Sequence, residues 1–325
     1  MIDLFRSEFL RARSRRILPM MLVGGVLLIV VAMVIAGANS HKPTAAQIAA
    51  AQAFSQKQFN QCMRGQYGGQ LPPGYDTLQE LCADETSPHT DTGLQFGDAA
   101  LLLEHTSTFV VLLGVALAAS LGGADWSAGT MTTLLTWEPR RVRVLLVRAL
   151  VVALSVAFVT LLLQAILFGS FSLAVALRGT SLGAPSGLLG TAALTGLRVS
   201  TVAVGFGLVA LAIATIGRST VAALGVLFGY LVLVEGVIAG LRPSIQDRLL
   251  VRAGGVIVSQ QPIFDQNAPV TVSLGRSLPV LLGITEAWVV AAVYVVVLMV
   301  LALLVCRARV VIFTPYTSVP HGNRL

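Results

Sequence analysis

Residues able to do covalent chemistry are scarce in this chain. Its 325 residues include 15 Asp and Glu, four His and three Cys. No P-loop, HExxH, GxSxG or CxxC pattern gathers them into a phosphate cradle, a metal site, a nucleophile elbow or a redox pair. Three groups remain. Cys62 and Cys82 share one polar stretch without the spacing or neighbouring His of a zinc site, which predicts a disulfide in an oxidising compartment. Glu104, Arg198, Glu235 and Glu286 interrupt apolar runs. The segment 123–148 combines an acid, two tryptophans, a Gly-Thr pair, a proline and a basic exit.

The elements that must position these residues are membrane spans. With 55% hydrophobic and only 11% charged residues and a mean hydropathy of +0.82, the chain departs from soluble domains, which carry about a quarter charged residues. Its net charge of +7 does not imply nucleic acid, because the basic residues flank apolar runs, where they set topology and meet anionic headgroups. Runs long enough to cross about 30 Å of hydrocarbon lie at residues 17–36, 98–122, 145–174, 187–216, 219–239 and 279–305. The expected fold class is an all-α polytopic membrane protein with six transmembrane helices.

Residues 1–16 place Leu4, Phe5, Phe9 and Leu10 at near-helical spacing among Arg6, Arg11, Arg13, Arg15 and Arg16, which predicts an amphipathic helix on the membrane surface. Together with the first span they imitate a signal peptide, with Ala36, Gly37 and Ala38 as a cleavage-like site. The apolar core exceeds the roughly 7 to 15 residues of a signal h-region, so a retained span is the better reading.

Six spans return both ends to one side. If that side is cytoplasmic, it holds the five early arginines, then Arg140, Arg141, Arg143 and Arg148, then Arg218, then Arg307, Arg309 and Arg324 of the tail 306–325: more than half of the 22 basic residues. This positive-inside bias predicts cytoplasmic termini in a multi-pass protein of the cell membrane. It also places both paired cysteines outside. Residues 37–97 then form an extracytoplasmic region, with an Ala/Gln-rich helix near 44–60 and too little apolar content for its own core, which suits a covalent staple. Closing a loop of about 20 residues stabilises it by roughly 3 kcal/mol. Residues 175–186 make a short outer loop. Residues 240–278, with Arg242, Asp247, Arg248, Arg252 and Gln260, form either short helices capping the outer mouth or a plain loop.

The segment 123–144 follows the second span. Trp126, Met131, Leu134 and Leu135 can share one side of a helix, with Asp125, Ser127 and Thr132 toward water, and Pro139 stops it. The same stretch resembles the signature of type-2 ABC-transporter permeases. That signature is an acidic residue, Gly-Thr, a Leu-rich turn, Pro, Arg and a basic residue about ten positions on, here Asp125, Gly129, Thr130, Leu134, Leu135, Pro139, Arg141 and Arg148. The family more often has Glu at the position of Asp125 and Lys at that of Arg148; both departures keep the charge. The resemblance implies a coupling helix, roughly 125–141, in which Asp125, Trp126, Gly129, Thr130, Leu134, Glu138, Arg140 and Arg141 meet a cytoplasmic ATP-binding subunit. It implies no enzymatic activity and no cofactor in this chain, ATP and Mg being bound by that partner. It also implies a second permease copy, identical or homologous, and export by alternating access. An interfacial helix that only anchors the loop remains the plain alternative.

Ionisable residues within spans cost roughly 3 kcal/mol each on insertion scales and usually face protein. Threaded by this topology, Glu104, Arg198, Glu235 and Glu286 all fall in the outer half of the bilayer, which predicts one polar network, either lining a path or bracing helices. His105 is a candidate proton relay or a plain hydrogen-bonded residue. Gly225 with Gly229, and Gly236 with Gly240, make small-xxx-small patterns suited to a dimer contact or to internal packing. Two further function classes stay open: a membrane-anchored signalling or immunity subunit that keeps the ATPase partner, and an ion-coupled secondary transporter, which needs carboxylates nearer the midplane.

Overall fold

The computed structural model describes residues 2–64, 77–86, 94–127, 129, 141–180, 187–264 and 280–308. Six helices in it are long and apolar enough to cross a membrane: Ile17–Ala38, Phe96–Trp126, Val142–Arg178, Leu188–Gly217, Thr220–Ile238 and Ile284–Arg307. The chain is therefore an all-α, multi-pass membrane protein.

In chain order, α1 is Ile2–Ser14 and α2 is Ile17–Ala38. Next come α3, Ala45–Arg64, and α4, Leu78–Glu85. The next three spans are α5, Ala99–Ser127, α6, Arg141–Arg178, and α7, Leu188–Gly217. The fifth span starts as α8, Thr220–Gly229. It continues as a π-helix over Tyr230–Ile238 and one further α-turn, Ala239–Leu241. A 3₁₀ stretch, Pro243–Arg248, leads to α9, Leu250–Ser259. Two short antiparallel strands follow, β1, Ile263–Phe264, and β2, Val280–Leu282, with Ile263 opposite Leu282. The last span is α10, Ile284–Ala308.

Inner and outer spans are sharply divided. In their most apolar stretches, α5, α6 and α7 bury 56%, 50% and 61% of residues, against 17%, 11% and 6% for α2, the fifth span and α10. The inner three approach closely because the contact residues are small. A Cβ on Gly114 would come within 3.1 Å of Val156 and 3.4 Å of Ala203, and one on Gly207 within 3.2 Å of Ala118. The glycines of the fifth span behave differently: Gly225, Gly229 and Gly240 have open space where a Cβ would stand.

Several boundaries lie away from the positions the apolar runs suggest. Helix α5 continues past Gly122 and Gly123 because those glycines are packed rather than free. A side chain at Gly122 would press on Leu211, and one at Gly123 would overlap the backbone of Thr220. Residues 280–282, expected within the sixth span, are a strand. The region expected at 44–60 is α3. Its start is a capping box in which Thr44 Oγ1 accepts from Gln47 N–H at 3.3 Å while Gln47 Oε1 accepts from Thr44 N–H at 2.8 Å. The Cys62–Cys82 disulfide joins α3 to α4, with Cα atoms 5.8 Å apart.

The second loop region takes the short-helix form. Leu250, Ala253, Gly254, Val256, Ile257 and Val258 of α9 are buried, against α7 and α10. Nearby, Thr180 N–H donates to Leu94 O at 3.0 Å and Phe96 N–H to Thr180 O at 3.4 Å, tying the start of α5 to the end of α6.

Candidate functional site

The densest set of charges in the described residues surrounds Asp125, in the last turn of α5. Its two carboxylate oxygens are used separately: Oδ1 accepts from Arg15, in the break between α1 and α2, and Oδ2 from Arg148, two turns into α6. The Asp125 and Arg148 side chains are 13% and 4% exposed. Ion pairs this far out of water persist only where further hydrogen bonds satisfy the remaining donors. Arg148 meets that condition by donating to Leu121 O and, at 3.3 Å, Gly122 O, while Arg15 donates to Ser120 O at 3.4 Å. These are carbonyls at the C-terminal end of α5, where cations are favoured by the helix dipole.

A second acid supports the cluster from α1. Glu8 is 5% exposed and accepts from Arg11 at 3.3 Å. Burial and, next, the positive charge of Arg148 hold the Arg15 guanidinium below its ordinary value, while Glu8 acts in the opposite direction. Arginine starts so high that it remains charged, so the joint is electrostatic rather than a proton switch.

Trp126 reaches a different partner. The Arg218 guanidinium lies 5.1 Å from the centre of its ring, a cation–π contact. Arg218 ends α7 in the left-handed conformation, φ 53°, and Ser219 caps α8 by accepting from Ala222 N–H at 3.4 Å. This two-residue turn between the fourth and fifth spans is thus held against the end of α5. Gly129, at φ 70°, donates from its N–H to Trp126 O at 3.2 Å, closing the α5 terminus in a conformation that glycine adopts without a Cβ penalty. Arg141 opens α6. Thr130, Leu134, Glu138 and Arg140 lie outside the described residues.

The first and last residues of the motif, Asp125 and Arg148, therefore meet directly. Sequence reasoning missed their shared partners. Arg15 was read only as part of a basic amphipathic segment, and Arg218 only as a topology marker. No local spacing connects residue 15 to residue 125; the packing of α1 against α6 and of α2 against α5 and α6 does so.

The four charges within the spans are placed as follows. Glu104 lies in the second turn of α5 and Arg198 in α7, both partly buried. Among the described residues no ion pair joins Arg198 to Glu104, Glu235 or Glu286. Glu235 instead accepts from Val251 N–H at 2.7 Å, and Glu286 from Gly283 N–H at 3.0 Å. The Glu235 contact belongs to a larger arrangement. Tyr230 Oη accepts from Leu250 N–H at 3.0 Å, and Tyr294 Oη donates to Arg248 O at 3.1 Å. The first two orphan N–H groups of α9 are thus capped from the fifth span. The π-helix explains how one helix reaches both. Its i→i+5 bonding stacks residue i+5 over residue i, so Tyr230 and Glu235 share a face that an ordinary α-helix would split. His105 lies exposed, with Nδ1 2.8 Å from Leu101 O.

A scan against protein-family models finds none that matches the chain, and a search of curated proteins finds no match either.

Proposed function

We propose that this chain is the membrane-spanning permease subunit of an ATP-driven ABC exporter, coupled to a separate cytoplasmic ATP-binding subunit through residues 125–141. The observation that carries this reading is the Arg15–Asp125–Arg148 joint. Here the acid and the base of the coupling-loop motif close on each other and on the N-terminal helix. A segment pushed by a nucleotide-hydrolysing partner needs a stiff attachment to several helices. Asp125 links α5 to α6 and to the break between α1 and α2, and Trp126 links α5 to the turn that begins the fifth span. Force applied at residues 130–140 would then reach four helices through two adjacent residues.

On this reading the termini and the Asp125 end face the cytoplasm, and the disulfide-bearing α3–α4 pair faces the oxidising side of the cell membrane. ATP and Mg belong to the partner. A second copy of the chain, or a homologous permease, completes the working unit, and the open glycine face of the fifth span suits such a contact.

Two measurements test the proposal. With Cys306 changed to Ser, a Thr132→Cys chain should react with a membrane-impermeant thiol reagent only from the cytoplasmic side; labelling from outside alone would end the export reading. Tagged chain purified from its own cells should bring down an ATP-binding protein whose hydrolysis, reconstituted with the chain, is inhibited by vanadate. Asp125→Asn should uncouple that hydrolysis from the chain. An assembly that hydrolyses ATP identically with and without the joint would favour the signalling class.

A further inference from the structure

Away from Asp125, at the other end of the bundle, α2 and α6 diverge and leave a groove of about 470 Å³ between them. Val30, Met33 and Val34 form one wall and Leu173, Ala174 and Leu177 the other. Along each helix the lining repeats at three and four residues over two turns, which at 1.5 Å per residue gives a trough roughly 12 Å long parallel to the spans. Val34, Leu173 and Leu177 remain 65%, 61% and 64% exposed, so the trough opens sideways toward lipid. Its floor is wide because Gly37 and Ala174 are small, and Gly37 has nothing near the position of a Cβ.

One cation is held at the mouth by a hydrogen bond. Arg178, the last residue of α6, is exposed and donates one N–H to Gly37 O at 3.0 Å. Of the five donors of a guanidinium, that contact occupies one, and among the described residues Arg178 forms no ion pair. The hydrogen bond holds the side chain across the top of the groove, where α2 gives way to the polar His41 and Lys42. The order along the membrane normal is apolar trough first, fixed guanidinium second. That is the polarity of a phospholipid, acyl chain below and phosphate above.

We infer that the α2–α6 groove is a binding seat for a single anionic glycerophospholipid, its acyl chain lying against Val34, Leu173 and Leu177 and its phosphate paired with Arg178. A basic side chain pinned beside an intramembrane groove binds anionic headgroups for the same reason that basic pockets between spans do. The seat is independent of the coupling proposal, since neither helix end involved carries Asp125.

The full chain, purified in mild detergent and equilibrated with mixed micelles of phosphatidylglycerol and phosphatidylcholine, tests this by native mass spectrometry. Wild type should retain one phosphatidylglycerol, preferred about fivefold over phosphatidylcholine, the factor expected for one basic residue near the headgroup. Arg178→Gln should abolish the preference and Arg178→Lys should keep most of it. Ala174→Trp, which fills the trough, should lose the retained lipid of either kind, and the more peripheral Leu177→Trp provides the same test should the first variant fail to fold. Arg13→Gln, at an exposed position of α1, should leave it in place. Retention unchanged in both Arg178→Gln and the filled-groove variants would overturn the seat. So would loss with Arg178→Gln alone, which means headgroup pairing without a groove, or displacement by inorganic phosphate.

Discussion

At the Asp125 end, the helices are joined through charge: one carboxylate divided between two guanidiniums, and an indole beneath a third. At the opposite end they are joined through a disulfide, a pair of backbone hydrogen bonds between residues 94–96 and Thr180, and the capping of α9 by Tyr230 and Glu235. The first set ties the end of α5 to α6, to the break between α1 and α2 and to the turn between the fourth and fifth spans, through two adjacent residues. The second is distributed over separate points, each satisfying local backbone groups. A concentrated ionic joint is costly to break once it is out of water. Distributed caps and a covalent bond make a fixed frame. The contrast is the one the proposed coupling role requires, with force received at the Asp125 end.

The comparison is most severely tested by removing one member of the joint. Arg148→Ala leaves Asp125 and Glu8 with less compensation in a desolvated site, and breaking buried pairs of this kind costs about 3–5 kcal/mol. A large fall in the unfolding temperature of the detergent-solubilised chain should report it, and the exchange Asp125→Arg with Arg148→Asp should recover part of the loss. An unchanged unfolding temperature in Arg148→Ala would remove the distinction between the two ends.

Next in size is the disulfide. Cys62→Ser should cost the α3–α4 region roughly 3 kcal/mol by the loop-entropy argument, seen as rapid proteolysis within residues 45–86 while unfolding of the spans is unchanged. Coupled loss of both would show that the α3–α4 region braces the bundle.

Glu235→Ala should cost about 0.5–2 kcal/mol, the usual range for a lost helix N-cap. Faster amide exchange confined to Leu250 and Val251 is the signature of a local frame; spread of that exchange to α5 would argue for long-range coupling. The smallest effect is expected for Trp126→Leu, which keeps apolar bulk but removes a cation–π contact of about 0.5–1 kcal/mol at this partly exposed site. A double-mutant cycle with Arg218→Gln should recover that coupling energy, and a value near zero would reduce the contact to coincidence.

Much of the fold was legible in the sequence. A helix in hydrocarbon must satisfy every backbone group internally, so uninterrupted apolar runs announce the spans. The Cys62 and Cys82 pairing also followed from composition, as did the short helices after residue 240 as one of two forms. Which helices lie inside was not legible, because lipid chains are as apolar as a protein core. Hydropathy even misleads here. The last span is the most apolar at 3.2 yet only 6% buried, whereas α7, at 2.2, is the most buried at 61%. Small residues at the right face, Gly114, Ala203 and Gly207, decide packing, whereas Gly225, Gly229 and Gly240 of the fifth span find no neighbour. The intramembrane carboxylates illustrate the same limit. Glu235 reads as a charge seeking Arg198, but the backbone N–H of Val251 lies closer, across a turn and a π-helix that no periodicity announced.

By itself, the sequence determined that this is a six-span membrane protein, which two cysteines were placed to pair, and where a charged segment resembling a permease motif begins and ends, because these depend on local composition and short spacing. Tertiary structure alone decided that Asp125 is shared by Arg15 and Arg148, that Arg218 covers Trp126, and that Arg178 is held across the α2–α6 groove. Those contacts join residues scores of positions apart, and electrostatic attraction acts through space in a desolvated setting rather than along the chain.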